Sequence, residues 1–398
     1  MAKVVGSPTE SGDVEQPAPV AAPKFPCFDG LRAIAAVGIL VHHTAYASRG
    51  ALSETFGAYF AEMNVGVFIF FVISGFLLYY PFARAHLSTR PSPEPRGFWI
   101  RRAGRIYPAY WVALIFGMYI LPAHFIAFSS TKETVLNFLL LQRYTRSANL
   151  YAGLPQSWTL VVEVSFYVFV PIYGWLVGRV ARRPGLRVEL GGIALLIAIG
   201  AGVQVWSTWG TPWQPLNVLP FYFGVFGLGM LLAVGRAWID QRGETPGWLD
   251  LVGRYPVVWW SLAALCAIAT VEWLGIPASG TFGRDTAFVK LQLHALLALC
   301  VVVPAVFGAQ DRGLIRRMLQ LRVMVFLGLI SYGIYLWHLT VIPLVRDEWW
   351  GQPVGQVGFW KLLIPVFVFT VIIATVSYYV VERPTIDLAR RASRQRPL

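Results

Sequence analysis

The sequence predicts an all-α fold, a polytopic bundle of about ten transmembrane helices with both termini in the cytoplasm, and three observations predict it. Of the 398 residues, 56% are hydrophobic and only 13% are Asp, Glu, Lys or Arg; a soluble globular chain carries about 25% charge. No Asp, Glu, Lys or Arg interrupts 33–48, 63–83, 106–131, 164–178, 190–235, 255–271, 291–310, 323–345 or 362–381. Runs near ~20 residues match a helix crossing about 30 Å of hydrocarbon. Basic residues, finally, gather in alternate connections.

Ten spans follow from these runs: about 28–48, 63–83, 106–127, 156–178, 190–206, 218–235, 256–274, 288–308, 323–345 and 361–381. The long stretch 190–235 is split by Thr211-Pro212-Trp213-Gln214-Pro215, a turn with two prolines. With the N-terminus inside, 25 of the 33 Lys and Arg fall on cytoplasmic segments, as the positive-inside rule requires. Residues 1–25, rich in Pro, Ala, Glu and Ser, read as a disordered cytoplasmic tail and not as a cleavable signal. Residues 26–385 form the membrane domain and 386–398 a basic cytoplasmic tail. Cys27, Cys266 and Cys300 have no metal-like spacing and read as core residues. The net charge of +13 belongs to topology; no nucleic-acid partner is expected.

Ionisable groups inside a membrane are expensive and each needs a reason. In span 1, Arg32 and His43 are eleven residues apart, so they share a helix face with His43 about 16 Å farther along; His42 points about 80° aside. Asp29 precedes Arg32 by one turn and can pair with it. Arg32 reads either as a helix-end snorkeller or as a functional cation, and His43 either as an interhelical hydrogen-bonder or as an acid/base group. Glu163 lies nearly two turns inside span 4, as a buried ion-pair member or in a wet cavity. Ser331, Tyr335 and His338 form one polar stripe on span 9, a packing stripe or an active-site wall. With the orientation above, His43, Glu163 and His338 share a depth, and Arg32 stands at the cytoplasmic mouth.

Before span 3, Arg101, Arg102 and Arg105 occupy neighbouring faces of one helix. Guanidinium groups so placed suit phosphate, although a cytoplasmic anchor also uses arginines. His86, in the basic loop, His124 and the isolated His294 read as structural or solvated. Gly224, Gly227 and Gly229 read as helix-packing contacts. Templates for soluble acyltransferases, serine hydrolases and zinc proteases are absent, and no metal site is expected.

The ordered motifs resemble the integral-membrane acyltransferase-3 family. They are Phe28-Asp29-Gly30-Leu31-Arg32-Ala33 with His43; Phe70-Phe71-Val72-Ile73-Ser74-Gly75-Phe76-Leu77; and Arg101-Arg102-Ala103-Gly104-Arg105-Ile106-Tyr107-Pro108. Ser157-Trp158-Thr159-Leu160 with Glu163-Val164-Ser165-Phe166-Tyr167 follows, then Ser331-Tyr332 with Tyr335-Leu336-Trp337-His338, and Glu382-Arg383-Pro384. The resemblance implies transfer of acetyl or another short acyl group from acyl-CoA to a hydroxyl of a carbohydrate, glycolipid or glycosylated metabolite. By resemblance Arg32 and His43 match an essential arginine–histidine pair, and Arg102 with Arg105 an RxxR motif. Phe68 departs from the polar residue of many relatives, and no esterase domain of the SGNH type is expected after span 10.

The expected chemistry puts donor phosphates on Arg101, Arg102, Arg105 and Arg32. His43 acts as general base or as a transient acyl carrier. Glu163 or Asp29 orients the imidazole or the acceptor, Tyr335 or Trp158 faces the developing oxyanion, and Ser74 and His338 are further acceptor or orienting candidates. No cofactor is bound; acyl-CoA, with acetyl-CoA foremost, is a co-substrate. The other expected partners are the acceptor and the lipid bilayer of a bacterial cytoplasmic membrane, with a homo-oligomer as a further option. The competing class is a proton-coupled transporter or flippase relaying protons through His43, Glu163 and His338, which broken helices and inverted repeats would favour.

Overall fold

The computed structural model describes residues 25–48, 56–88, 90–121, 127–145, 152–180, 185–210, 218–275 and 283–394. The expected N-terminal tail up to residue 24, the turn at 211–215 and His124 lie outside them. No β-strand forms among the described residues.

The principal helices are α1 Cys27–Ser48, α2 Gly66–Leu87, α3 Pro95–Ile120 and α4 Trp158–Val180. There follow α5 Leu186–Val205, α6 Phe223–Arg242, α7 Pro256–Ile268 and α8 Arg284–Val306. The chain closes with α9 Arg322–Leu329, α10 Ser331–Pro343, α11 Phe359–Ser377 and α12 Arg383–Arg394. Among the described residues, seven helices are long and apolar enough to cross a membrane, or eight if the bent pair α9–α10 counts as one span. This is a multi-pass membrane protein, with a smaller count than the ten expected. The difference has a physical reason. Helices α1 and α3 stand where the first and third spans were expected, with 22 and 26 residues, but α1 carries Asp29 and Arg32 and α3 carries Arg96, Arg101, Arg102 and Arg105. The two long helices that are too polar are those that hold most of the candidate charges.

The core is an aromatic and aliphatic cluster centred on α2, α4 and α6. Phe226 stacks on Phe166 at 4.0 Å and on Phe71 at 4.7 Å between ring centroids, a geometry worth about 0.5–1.5 kcal/mol per pair beyond burial. Helices α2 and α6 touch backbone to backbone. A Cβ on Gly229 would sit 2.1 Å from the Val72 carbonyl oxygen, and one on Gly75 would sit 2.3 Å from that of Phe226. Gly229 is thus the packing glycine its sequence context suggested, and Gly227 abuts Ile197, whereas Gly224 faces open space.

Several expectations are corrected. His86 is not in a solvated loop: it is buried near the end of α2, with Nδ1 2.5 Å from Glu189 Oε1, while Tyr79 donates to Glu189 Oε2 at 2.6 Å. His294 does not stand alone, since its Nε2 lies 3.3 Å from buried Glu62, which also pairs with Lys290 at 2.7 Å. Arg316 is only 3% exposed. It donates to the carbonyls of Gly253, Pro304 and Phe307 at 2.9–3.0 Å, so it fastens connections together and is no solvated topology charge. The expected tail from 386 is helical through Arg394 and packs on α3.

Candidate active site

The site is built where α1, α2, α3, α4 and α10 converge. Arg32, Ser74, Arg102, Arg105, Glu163 and Tyr335 all line one narrow cavity of about 80 Å³. Tyr167, Tyr332 and Ser331 complete its polar wall, and Phe70, Phe71, Ile73, Leu77 and Leu78 supply the apolar one. Helical spacing explains the grouping on α4, where Glu163 and Tyr167 are one turn apart. Tyr167 donates to Glu163 Oε1 at 2.6 Å and Ser74 to the same oxygen at 3.2 Å. The Arg102 guanidinium lies over the Tyr167 ring at 5.8 Å, a cation–π contact. Arg32 reaches Asp29 at 3.9 Å. Two buried polar atoms at this wall, Arg102 Nε and Ser331 Oγ, have no hydrogen-bond partner among the described residues. Orphans of that kind cost about 1–3 kcal/mol each unless a ligand or water meets them.

The bend between α9 and α10 is 69° and falls at Ile330, so α10 starts at the cavity wall with Ser331 and Tyr332. Its N-terminal end adds positive potential there. One and two turns on, the polar stripe continues through Tyr335 to His338, which is wholly buried. His338 Nε2 lies 3.0 Å from His43 Nδ1. The proton positions follow from the carbonyls. His338 Nδ1 faces the Ile334 carbonyl at 3.2 Å and His43 Nδ1 faces that of Ile39 at 3.0 Å. Carbonyls only accept, so assigning the tautomers by the hydrogen-bond network puts a proton on both Nδ1 atoms. His338 Nε2 is then a lone pair, and the one His43 Nδ1–H is shared between it and the Ile39 carbonyl. His43 Nε2 is left as the unprotonated nitrogen, with no hydrogen-bond partner among the described residues. The Tyr335 ring joins the two parts, since it lines the cavity and its centroid is 5.8 Å from that of His338.

Other candidates fall elsewhere. His42, the neighbouring imidazole, bonds through Nδ1 to the Ala61 carbonyl and packs on Tyr46. Trp158 lies against Tyr222 at 5.8 Å and lines no part of the cavity. Tyr335 Oη donates to the Gln156 carbonyl at 2.7 Å and meets Thr159 Oγ1 at 2.5 Å, so its one proton is committed to backbone. Asp29 lines neither cavity, and Arg101 lines only a second, wider one. That second cavity, about 460 Å³, shares Arg32, Arg102, Arg105 and Tyr332 with the first and adds Tyr378, Glu382, Arg383 and Arg390. Sequence reading placed Arg383 in the Glu382-Arg383-Pro384 motif without a role and counted Arg390 only as a topology charge. Their spacing of seven on a strongly amphipathic segment was the signal for a shared face. No group of metal-ligating side chains occurs among the described residues.

A family model described as an acyltransferase domain matches residues 25–380. The chain belongs to this family. The transporter alternative finds no support: Glu163 is bonded to Ser74 and Tyr167 and to neither histidine. The chain is 26% identical over 379 residues to the putative peptidoglycan O-acetyltransferase YrhL of Bacillus subtilis, covering 90% of this chain and 54% of the relative. It is 24% identical over 387 residues to the peptidoglycan O-acetyltransferase OatA of Listeria monocytogenes, covering 90% and 55%. A putative O-acetyltransferase of Staphylococcus aureus is 25% identical over 382 residues, covering 90% and 57%. The chain thus spans about half the length of the curated relatives it matches. No solved structure matches it.

Proposed function

We propose that this acyltransferase moves an acetyl or other short acyl group from cytoplasmic acyl-CoA to a hydroxyl of a cell-envelope carbohydrate, in a bacterial cytoplasmic membrane. The names of the relatives favour peptidoglycan among such acceptors. The observation that carries the reading is a single continuity: a cationic mouth of Arg32, Arg102 and Arg105 opens onto an apolar cavity, and the His43–His338 pair adjoins it through Tyr335.

The three guanidinium groups hold the donor's diphosphate, charge against charge. Glu163 acts at one remove, fixing Tyr167 under Arg102 and offsetting the positive cluster. The thioester arm extends along Leu77, Ile73 and Phe70. His43 Nε2 takes the acceptor hydroxyl proton as its oxygen attacks the thioester carbonyl. The carbon–sulfur bond then breaks, and the departing thiolate takes the proton from the imidazolium. One ester and one free thiol result. His338 and the Ile39 carbonyl, sharing His43 Nδ1–H, hold the tautomer that keeps Nε2 basic, the part a carboxylate plays in a serine-hydrolase triad. Ten spans with both termini inside complete the reading: α1 and α3 cross as well, their charges satisfied at the cytoplasmic end.

The experiment is a matched pair of substitutions in purified protein, with transfer followed by thiol release in the presence of acceptor. His43→Ala is expected to lower transfer at least 10²–10⁴-fold, the usual cost of a lost general base, with donor binding intact. His42→Ala, which loses a contact to the Ala61 carbonyl, is expected to cost far less. Full turnover by the His43 variant would remove that residue from the chemistry.

A further inference from the structure

We propose that the C-terminal helix α12 is part of the donor site, and that Arg383 and Arg390 with Arg101 form a separate subsite for the terminal phosphomonoester and nucleoside of a coenzyme A thioester. The inference rests on the acyl-CoA reading above and goes beyond it, because it assigns a function to a helix outside the apolar spans.

The argument starts from helix periodicity. Arg383, Ile386, Asp387 and Arg390 stand at i, i+3, i+4 and i+7, one face of a 3.6-residue helix, and all four line the 460 Å³ cavity. The other side of α12 is spoken for. Ala389 is buried against Gly104 of α3, where a glycine Cβ would come 2.6 Å from the alanine methyl. That close approach fixes the rotation of α12 and so aims the arginine face at Arg101, Arg102 and Arg105 across the cavity. Arg390 is held by Asp387 at 3.3 Å, and Arg383 lies over the Tyr379 ring at 5.9 Å.

Charge and shape then select the ligand. The described residues lining this cavity include six guanidinium groups and two carboxylates, Glu382 and Asp387, an excess of four positive charges. A coenzyme A thioester carries about four negative charges at neutral pH, some two on the diphosphate and close to two on the 3′-phosphate. The two cavities divide the arginines in the same way. Arg32, Arg102 and Arg105 line both and sit at the junction, whereas Arg101, Arg383 and Arg390 belong to the wider one alone. A diphosphate at the junction sends the slender arm into the 80 Å³ channel and the nucleotide into the 460 Å³ chamber. Tyr378, Leu329 and Ile386 there give a purine an apolar surface.

The test compares coenzyme A with 3′-dephospho-coenzyme A, by titration of the full chain in nanodiscs of a zwitterionic lipid. Wild type is expected to bind coenzyme A about tenfold or more tightly than the dephospho form, the size of one charge-assisted phosphate contact. Arg383→Gln with Arg390→Gln is expected to bring coenzyme A down to the affinity of the dephospho form while leaving the latter unchanged. Arg102→Gln with Arg105→Gln is expected to weaken both. Arg383→Lys with Arg390→Lys, which keeps the charge, is expected to retain part of the preference, and this variant decides the matter if the glutamine pair proves misfolded. Equal affinities in wild type, or an undiminished preference in the glutamine variant, overturn the subsite and leave the donor reading standing. Failure of wild type to bind either compound overturns both. A preference that vanishes when an anionic lipid replaces the zwitterionic one assigns the subsite to a lipid phosphate, and overturns the proposal.

Discussion

At the scale of single residues, the two imidazoles of the site are made unequal by their carbonyl partners. His338 is wholly enclosed, and its two nitrogens are engaged by the Ile334 carbonyl and His43, whereas His43 keeps Nε2 available. This argues for a positioning role for His338, which a graded substitution separates from mere packing. His338→Leu is expected to lower kcat about 10²-fold with little change in KM for the donor. His338→Gln, whose amide oxygen can still accept from His43 Nδ1–H, is expected to recover part of that loss. Equal loss in both variants, with reduced thermal stability, would leave only a packing role. At the cationic mouth, Arg102→Gln with Arg105→Gln removes the two phosphate contacts proposed for the donor, worth about 1.5–3 kcal/mol each. Donor affinity measured by titration is therefore expected to fall by two orders of magnitude or more. Unchanged affinity would reduce the pair to topology signals.

At the scale of elements, the site depends on a break and on a staple. The 69° bend at Ile330 ends one helix and starts another at the cavity wall, and a straight helix would carry Ser331 and Tyr332 past it. This is a broken helix of the kind the transporter reading called for, yet its residues form the wall of a cavity whose other side is arginine. Arg316 is the staple. Its guanidinium meets carbonyls at Gly253, Pro304 and Phe307 and so ties two connections together. Arg316→Met keeps the bulk and removes the donors; Gln310 Nε2 still reaches the Pro304 and Phe307 carbonyls at 3.2 Å, so the loss falls on the Gly253 carbonyl, at about 1–3 kcal/mol. The variant is expected to lose thermal stability in detergent by several degrees or more. An unshifted melting curve would mean that water replaces the guanidinium.

At the scale of the whole molecule, one end of the bundle collects the arginines. Arg32 of α1, Arg101, Arg102 and Arg105 of α3, and Arg383 and Arg390 of α12 meet around one chamber. In the proposed reading that end faces the cytoplasm, the side from which acyl-CoA would enter. All three native cysteines are buried, so thiol labelling starts from a low background. Ser92→Cys, before α3, is expected to be shielded from an impermeant reagent added outside intact cells, and Gln352→Cys, between α10 and α11, is expected to react. The reverse pattern would invert the orientation and remove the donor's route to its arginines.

The sequence by itself determined the class, the helix locations and the family, and it singled out Arg32, Ser74, Arg102, Arg105, Glu163 and Tyr335, which line one cavity. Uncharged runs of membrane-spanning length allow little else, because unpaired backbone has no place in hydrocarbon, and helical spacing put Arg32 with His43 and separated His42 from it. Tertiary structure decided who meets whom. Helix geometry gives the face of a residue and not the neighbour across it, so His338 and not Glu163 or Asp29 became the partner of His43. For the same reason His86 found Glu189 and His294 found Glu62, and Tyr335 gave its proton to a carbonyl on α4's approach. The role of α12 was the least legible, since a basic amphipathic helix reads alike on a membrane surface and on a cavity. Only its docking through Gly104 and Ala389 turns that face toward the site.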